Sequence, residues 1–380
     1  MGNKNLARFL HAQTDSTLAL RPAVLPSLEY VTSDGRPRLS VVVLNYNGAR
    51  WLDRCLTSLR AQTIAAECEL MLADNLSPDG SGTLAAQLVA GRPNERFQQN
   101  GANLGFCAGN NSGARCARGE YLFFLNNDTW LEPDCLQQLL AETERVGATA
   151  AMPRVLNYSD DSVQCFGFDG LDPFGLPVLS ADFDTTRPLF IPYGCAFLIR
   201  RDAFERVGGF DEQLFMYTDE MDLALKVWLS GGTAIGVPSA RLHHQGAANV
   251  NPADPSQPTA IRTSETTRYY CNRNSLLQIL KFGQHLLLFL ALTQLGLLVV
   301  EALAGWMLVR RWSFVRRAYW EAVRDVWRLR GHILAERRRF APLRRRSDFW
   351  LLRHFGTLRL NRWQQVQLFR QRGLPQVVPR

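Results

Sequence analysis

Short apolar runs that stop at polar turns set the rhythm of the first half of the chain. Leu39 to Leu44 is a β-branched run ending at Asn45-Tyr46-Asn47-Gly48, the pattern of a buried strand entering a turn. Trp51, Leu52, Cys55, Leu56 and Leu59 then recur at helical spacing. Glu69 to Ala73 predicts a second strand, closed by Asp74-Asn75 and a turn-rich stretch from Ser77 to Gly82, with a helix expected near 83–90. Tyr121 to Leu125 predicts a third strand, ending at Asn126-Asn127-Asp128. Strands alternating with helices imply an α/β fold with a doubly wound, Rossmann-like sheet. Ligands of such sheets lie beyond the carboxyl ends of the strands. Three strands here end in Asn or Asp.

The second half is less regular. Residues 192–200 read as a strand entered through Pro-Tyr-Gly. Residues 218–230 read as a helix with Met221, Ala224, Leu225 and Trp228 as its apolar stripe, Thr218 or Asp219 at its start and Gly231-Gly232 at its end. Residues 246–260 read as a loop. The pattern divides the chain into an N-terminal extension (1–37), a catalytic domain (38–280), an apolar helix (281–309) and a helical tail (310–380). Leu286 to Val309 is long enough to span a bilayer. A single crossing would put the body and the tail on opposite sides, and Glu301 at the bilayer centre would cost about 2.5–3.5 kcal/mol. The expectation is a helix lying in the membrane interface; the alternative is a buried helix of a C-terminal bundle.

Charge sharpens that division. The 380 residues carry a net charge of +8, yet residues 310–380 hold 19 Arg, no Lys and 4 acids. The tail is therefore basic and the body acidic. Its arginines interleave with Trp312, Trp320, Trp327 and Trp350, which suits an anionic membrane surface better than the rival partner, nucleic acid. The eight cysteines stand singly and form no CxxC, which excludes a zinc ribbon and fits a reducing compartment. No signal-peptide core is read at the N-terminus. The expected location is cytoplasmic, peripheral on the inner face of the cell membrane.

The strand ends carry the candidate chemistry. A carboxylate in Asn126-Asn127-Asp128 is placed to hold a hard divalent cation that also binds substrate phosphates. Alone, such a cluster is an ordinary turn. Asp74 can accept hydrogen bonds from a base or ribose. Residues 103–113 are rich in Gly and Asn, so backbone can approach a ligand closely. No Walker A loop is present, and the first strand ends without GxGxxG.

The ordered set of motifs resembles the inverting family-2 glycosyltransferases, in particular their bacterial rhamnosyltransferase-like branch. It comprises Val41 to Asn47; Ala73-Asp74-Asn75 with Ser77, Asp79, Gly80 and Ser81; Asn103-Leu104-Gly105-Phe106 with Gly109-Asn110-Asn111; and Asn126-Asn127-Asp128. Further on come Gly194 to Arg200, Gly208 to Glu212, Phe215 to Asp222, and His243 with Gly246. The resemblance implies a GT-A fold, with a mixed sheet flanked by helices; the apolar run and basic tail add a C-terminal helical, membrane-associating extension. It implies a nucleoside-diphosphate-sugar donor bound by Asn45, Asn47, Asp74, Asn103, Gly105, Asn110, Asn127 and Arg273, and Mg²⁺ or Mn²⁺ at Asp128 and His243. Asp128 is the lone carboxylate where the family writes DxD, so most metal affinity would come through the diphosphate. The catalytic base falls in Asp219-Glu220-Met221-Asp222, where the usual Glu-Asp order is inverted. Glu220 is the expected base, Asp219 the alternative, and Asp222 an orienting group. The acceptor would be a glycan or lipid-linked hydroxyl in surface-polysaccharide assembly. Against a processive synthase, a Gln-x-x-Arg-Trp element is missing. A nucleotidyltransferase would need a Gly-rich basic loop after the first strand. The rival of a different class is a non-catalytic nucleotide-binding scaffold.

Overall fold

A computed structural model describes residues 35–246, 262–372 and 376–377. The extension through residue 34 and the loop at 247–261 lie outside the described residues. Ten strands make one sheet: β1 (Leu39–Asn45), β2 (Cys68–Asp74), β3 (Glu95–Gln99), β4 (Tyr121–Asn126), β5 (Thr129–Leu131), β6 (Ala150–Asn157), β7 (Val163–Cys165), and, beyond the small hairpin of β8 (Phe168–Leu171) and β9 (Pro177–Leu179), β10 (Arg187–Pro188), β11 (Ala196–Arg200) and β12 (Ala234–His244). Their order is β10-β12-β6-β11-β4-β1-β2-β3, with β5 on β12 and β7 on β6. β4, β1, β2 and β3 run parallel, while β11 lies antiparallel between β4 and β6. The sheet is therefore mixed and flanked by helices, as the resemblance implied.

The strand periodicity accounts for both faces. Val42, Leu122 and Phe124 point into one apolar layer, and Val41, Val43, Phe123 and Leu125 into the other. Burial on both sides makes the strands read as continuous apolar runs. β3 is a polar edge strand (Glu-Arg-Phe-Gln-Gln) and carries no such signature. Gly194 and Cys195 form the turn before β11, so the strand expected from 192 starts at Ala196.

The helices are α1 (Leu52–Arg60), α2 (Ser81–Val89), α3 (Gly105–Cys116), α4 (Cys135–Val146), α5 (Arg201–Arg206), α6 (Asp219–Leu229), α7 (Glu265–Phe282), α8 (Leu286–Val309), α9 (Trp312–Val315), α10 (Ala322–Arg328), α11 (Arg330–Phe340), α12 (Asp348–Phe355) and α13 (Asn361–Arg372). The boundary expected at 280 falls inside α7. Leu276, Phe282, Ile333, Phe340, Leu351 and Phe355 share one apolar cluster with Phe197 and Trp228 of the catalytic body.

Part of the basic tail is thus a structural layer. Arg346 donates to the carbonyls of Trp228, Gly231 and Gly232, which close α6. Arg337 donates to Leu280 and Gly283 O at 2.6 Å each, and Arg344 to Phe282 O, so both close α7. Guanidinium groups there satisfy orphan carbonyls and complement the helix dipoles. Burial pulls the Arg346 guanidinium down to about 10. Charge pattern alone does not separate these arginines, which close helix ends, from those that stay exposed.

Candidate active site

Parallel pairing aligns Asn45 with Asp74 and Leu44 with Asn126, so three strands deliver polar side chains to one rim. Asn127 Nδ2 donates to Asn45 Oδ1 at 2.7 Å, and Asn45 Nδ2 to Asp74 Oδ1 at 2.6 Å. Asp74 also accepts from Ser77 Oγ (2.6 Å), Ser77 N (3.0 Å) and Gln99 Nε2 (2.9 Å). Four donors occupy this fully buried carboxylate. In this conformation Asp74 organises the rim instead of offering a free lone pair to a base. A Cβ on Gly48 would lie 2.1 Å from Asn45 Oδ1 and 2.2 Å from Asn127 Nδ2, so only glycine lets the turn cross this network. Asn47 stands beside it with φ +56° and a buried Oδ1 that has no hydrogen-bond partner.

The Gly/Asn-rich stretch turns into α3. Asn103 Oδ1 accepts from Gly105 N at 3.0 Å, and Gly105 has φ +76°. A Cβ there would meet Phe215 O at 2.5 Å. The Phe106 and Cys107 amides both donate to that carbonyl, at 2.6 and 3.2 Å. These amides therefore hold the 215–218 loop and are not open to phosphate. Asn110 is buried, bonded to Phe106 O at 3.0 Å, with its own Oδ1 unpartnered.

The metal-side pairing differs from expectation by one residue. β12 pairs His243 with Trp130 and His244 with Thr129. Adjacent strand residues face opposite ways, so only one imidazole can reach Asp128. It is His244: its Nε2 lies 3.3 Å from Asp128 Oδ1, and its Nδ1 2.7 Å from Gln164 Oε1. Burial disfavours the imidazolium, but Cys195 and the Asp128 carboxylate outweigh it and hold His244 well above its ordinary value. His243 stacks on Trp130 (3.7 Å between centroids) and bonds Asn157 O instead. Among the described residues no three His, Cys, Asp or Glu side chains gather into a cation cage.

The acids divide at the start of α6. Phe215, Tyr217 and Thr218 all have positive φ (65°, 66° and 57°), a strained approach for non-glycine residues. α7 holds it: Arg273 Nη2 donates to Gln213 and Leu214 O, Asn274 Nδ2 to Leu214, Met216 and Tyr217 O, and Gln278 Nε2 to Thr218 O. Arg273, expected at phosphate, is instead buried in this clamp and lies over the ring of Tyr270. A Cβ on Gly194 would sit 3.4 Å from Glu220 Oε2 and 3.9 Å from Asp219 Oδ2, so both carboxylates face one backbone segment. Burial pushes Glu220 up to about 7. Burial and then the Glu220 charge hold Asp219 well above the carboxylate range. Asp222 takes no part in that pair. It is fully buried and ion-paired with Lys281 and, at 2.8 Å, with Lys226, so the groups it orients here are its lysine neighbours.

The segment Tyr193-Gly194-Cys195 joins the two halves. The Tyr193 ring lies 6.2 Å from that of His244, Gly194 faces Glu220, and Cys195 O accepts from Asn126 N at 2.8 Å. Burial, the Cys165 and Cys195 thiols and both the Glu220 and Asp128 charges raise the Tyr193 phenol well above its ordinary value. Tyr193 and His244 are the site residues that sequence reasoning missed. The only signals were the Pro-Tyr-Gly entry and strand alternation.

Residues 40–208 match the model of glycosyl transferase family 2. The chain carries a family-2 glycosyltransferase domain. It is 29% identical over 267 residues to the N-acetylglucosaminyl-diphospho-decaprenol L-rhamnosyltransferase of Mycobacterium tuberculosis, covering 62% of this chain and 85% of the relative. The O-antigen biosynthesis protein RfbC of Myxococcus xanthus is 28% identical over 262 residues, 65% of this chain and 20% of that one. Among solved structures, Staphylococcus aureus TarS 1–349 with UDP-GlcNAc superposes at a TM-score of 0.53, with 14% identity and 80% and 89% coverage. GalNAc-T7 with UDP, GalNAc and Mn²⁺ gives 0.53 at 16% identity, covering 67% of this chain and 49% of that one. These two bear on the fold, which is GT-A. This glycosyltransferase places its 219–222 acids beyond the family-matched segment.

Proposed function

We propose that this glycosyltransferase moves a sugar, with rhamnose as the first donor to try, from a nucleoside diphosphate to a hydroxyl of a polyprenyl-diphosphate-linked glycan, with inversion. The rhamnosyltransferase relative supports that donor and acceptor class. The observation that carries the chemistry is the common segment Tyr193–Cys195, with the Asp128–His244 pair on one side and Asp219–Glu220 on the other.

Glu220 serves as the base. With its carboxyl pushed up to about 7, a large share is ionised at neutral pH and its basicity matches the task. Burial and the Glu220 charge also raise Asp219, so the adjacent pair resists carrying two negative charges at once. As the acceptor oxygen bonds to the anomeric carbon, its proton passes to Glu220 and the bond to the diphosphate breaks. The nucleoside diphosphate leaves with that electron pair. His244, in its charged form beside Asp128, would meet the diphosphate there. Asp128 would hold a divalent cation, and its single carboxylate fits an ion bound mainly by diphosphate oxygens. Such an ion neutralises charge on the leaving diphosphate. Eight unpaired thiols support a cytoplasmic location, where nucleotide sugars are available.

The test is release of nucleoside diphosphate from thymidine-, uridine- and guanosine-diphosphate sugars, with Mg²⁺ or Mn²⁺ and a lipid-linked GlcNAc acceptor. Acceptor-dependent release with one donor is expected. Binding of donor without any release would favour a scaffold.

A further inference from the structure

α8 is apolar on both sides, and only one side has a protein partner. Leu287, Leu290, Ala291, Gln294 and Leu298 face inward and are buried. Gln294 Nε2 donates to Ser275 Oγ at 2.8 Å, Thr293 Oγ1 to Pro173 O at 2.7 Å, and Glu301 pairs with Arg362. The opposite face shows Phe289, Leu292, Val299, Val300, Leu303 and Met307, each 58–65% exposed. With the exposed Gly296 between Leu292 and Val299–Val300, they recur every three or four residues and make one stripe along a helix about 36 Å long. That exceeds the scattered apolar exposure of an ordinary soluble surface.

The segment that follows the stripe exposes aromatic and cationic side chains. Trp306, Trp312, Trp320 and Trp327 are 56–70% exposed, and Arg310, Arg311 and Arg330 are exposed among them. These arginines differ from Arg337, Arg344 and Arg346, which close helix ends inside the protein. Tryptophan settles at headgroup depth, and arginine meets anionic headgroups. A crossing helix would have to strip Gln294 and Glu301 from their partners and carry them into hydrocarbon. A helix lying in the plane keeps every inward contact and covers the outward stripe.

We propose that the outward face of α8, with the exposed Trp and Arg side chains that follow it, is a docking surface for an anionic lipid bilayer, on which α8 lies flat. The surface gives the lipid-linked acceptor of the proposed function a place to meet the cleft. Vesicle binding is read without turnover, so failure here leaves that function standing, and the reverse.

The experiment is co-sedimentation of the full chain with vesicles of phosphatidylglycerol and phosphatidylcholine, and with phosphatidylcholine alone. The wild type is expected to partition at least about tenfold better onto the anionic vesicles, a preference that falls with salt. A Leu292→Ser, Val300→Ser, Leu303→Ser variant should lose at least about tenfold of that binding while its melting curve is unchanged. Vesicles brominated near the headgroup should quench the tryptophan fluorescence of the wild type, which keeps the proposal testable if the variant fails to fold. Equal binding by a folded variant, or no sedimentation of the wild type, overturns the proposal. So does a wild-type dimer that the variant abolishes without any vesicle binding, since a second copy would then be the occupant.

Discussion

Two pairs of acids lie close together around α6 and meet opposite fates. Asp219 and Glu220 both face Gly194, and their carboxyls are pushed up. Asp222, one turn on, and Asp211 share Lys281, with Lys226 and His332 completing the set. Asp211 is held well below the carboxylate range: burial opposes this, but His332 and Lys281 outweigh it. The difference is cationic company. A buried carboxylate without a cation is raised and ready to exchange a proton, whereas one between lysines stays charged and holds helices together.

The sharpest break is Glu220→Gln. Transfer should fall roughly 10²–10⁴-fold in a product-release assay, with thermal stability equal to or above wild type, because a raised acid is removed. Lys281→Met should do the reverse in kind: denaturant titration should show a loss of about 3–5 kcal/mol as Asp211 and Asp222 lose their shared cation. Arg273→Lys keeps the charge but loses the guanidinium whose Nη2 bonds two loop carbonyls while its Nε bonds Asn274 Oδ1. About 1–3 kcal/mol of stability and part of kcat should go, with donor affinity retained, as calorimetry would register.

Asp128→Asn should bring the His244 titration down towards the ordinary imidazole range in an NMR pH series. Unchanged titration would remove the ion pair from the site. The pH dependence separates the acids with the smallest signal. Glu220, raised from 4.5 to about 7, binds more protons folded than unfolded across that window, so its contribution to stability falls as pH rises through it, while activity rises through about 7. Asp211, lowered, contributes stability above its unfolded value of 3.8 that is lost as pH falls through its lower folded value. A folded-state pH series of wild type against Glu220→Gln isolates the first effect.

The strand ends were legible because parallel pairing carries Asn45, Asp74 and Asn126 to one rim wherever three apolar runs stop at polar residues. The pairing of His244, not His243, with Asp128 was hidden. Two adjacent histidines differ only in which side of β12 they face, and that depends on register against β5. Arg273 was read from its charge, yet its guanidinium is taken up by carbonyls some sixty residues away in the chain. The same holds for the tail arginines that close α6 and α7.

By itself, the sequence determined the alternating apolar runs, the polar strand ends and the acids at the start of a helix, because these depend on local periodicity and turn chemistry. Tertiary structure alone decided which carboxylates keep a cation, which imidazole meets Asp128 and which face of α8 stays uncovered. Each depends on groups distant in the chain, whose separations the order of residues does not contain.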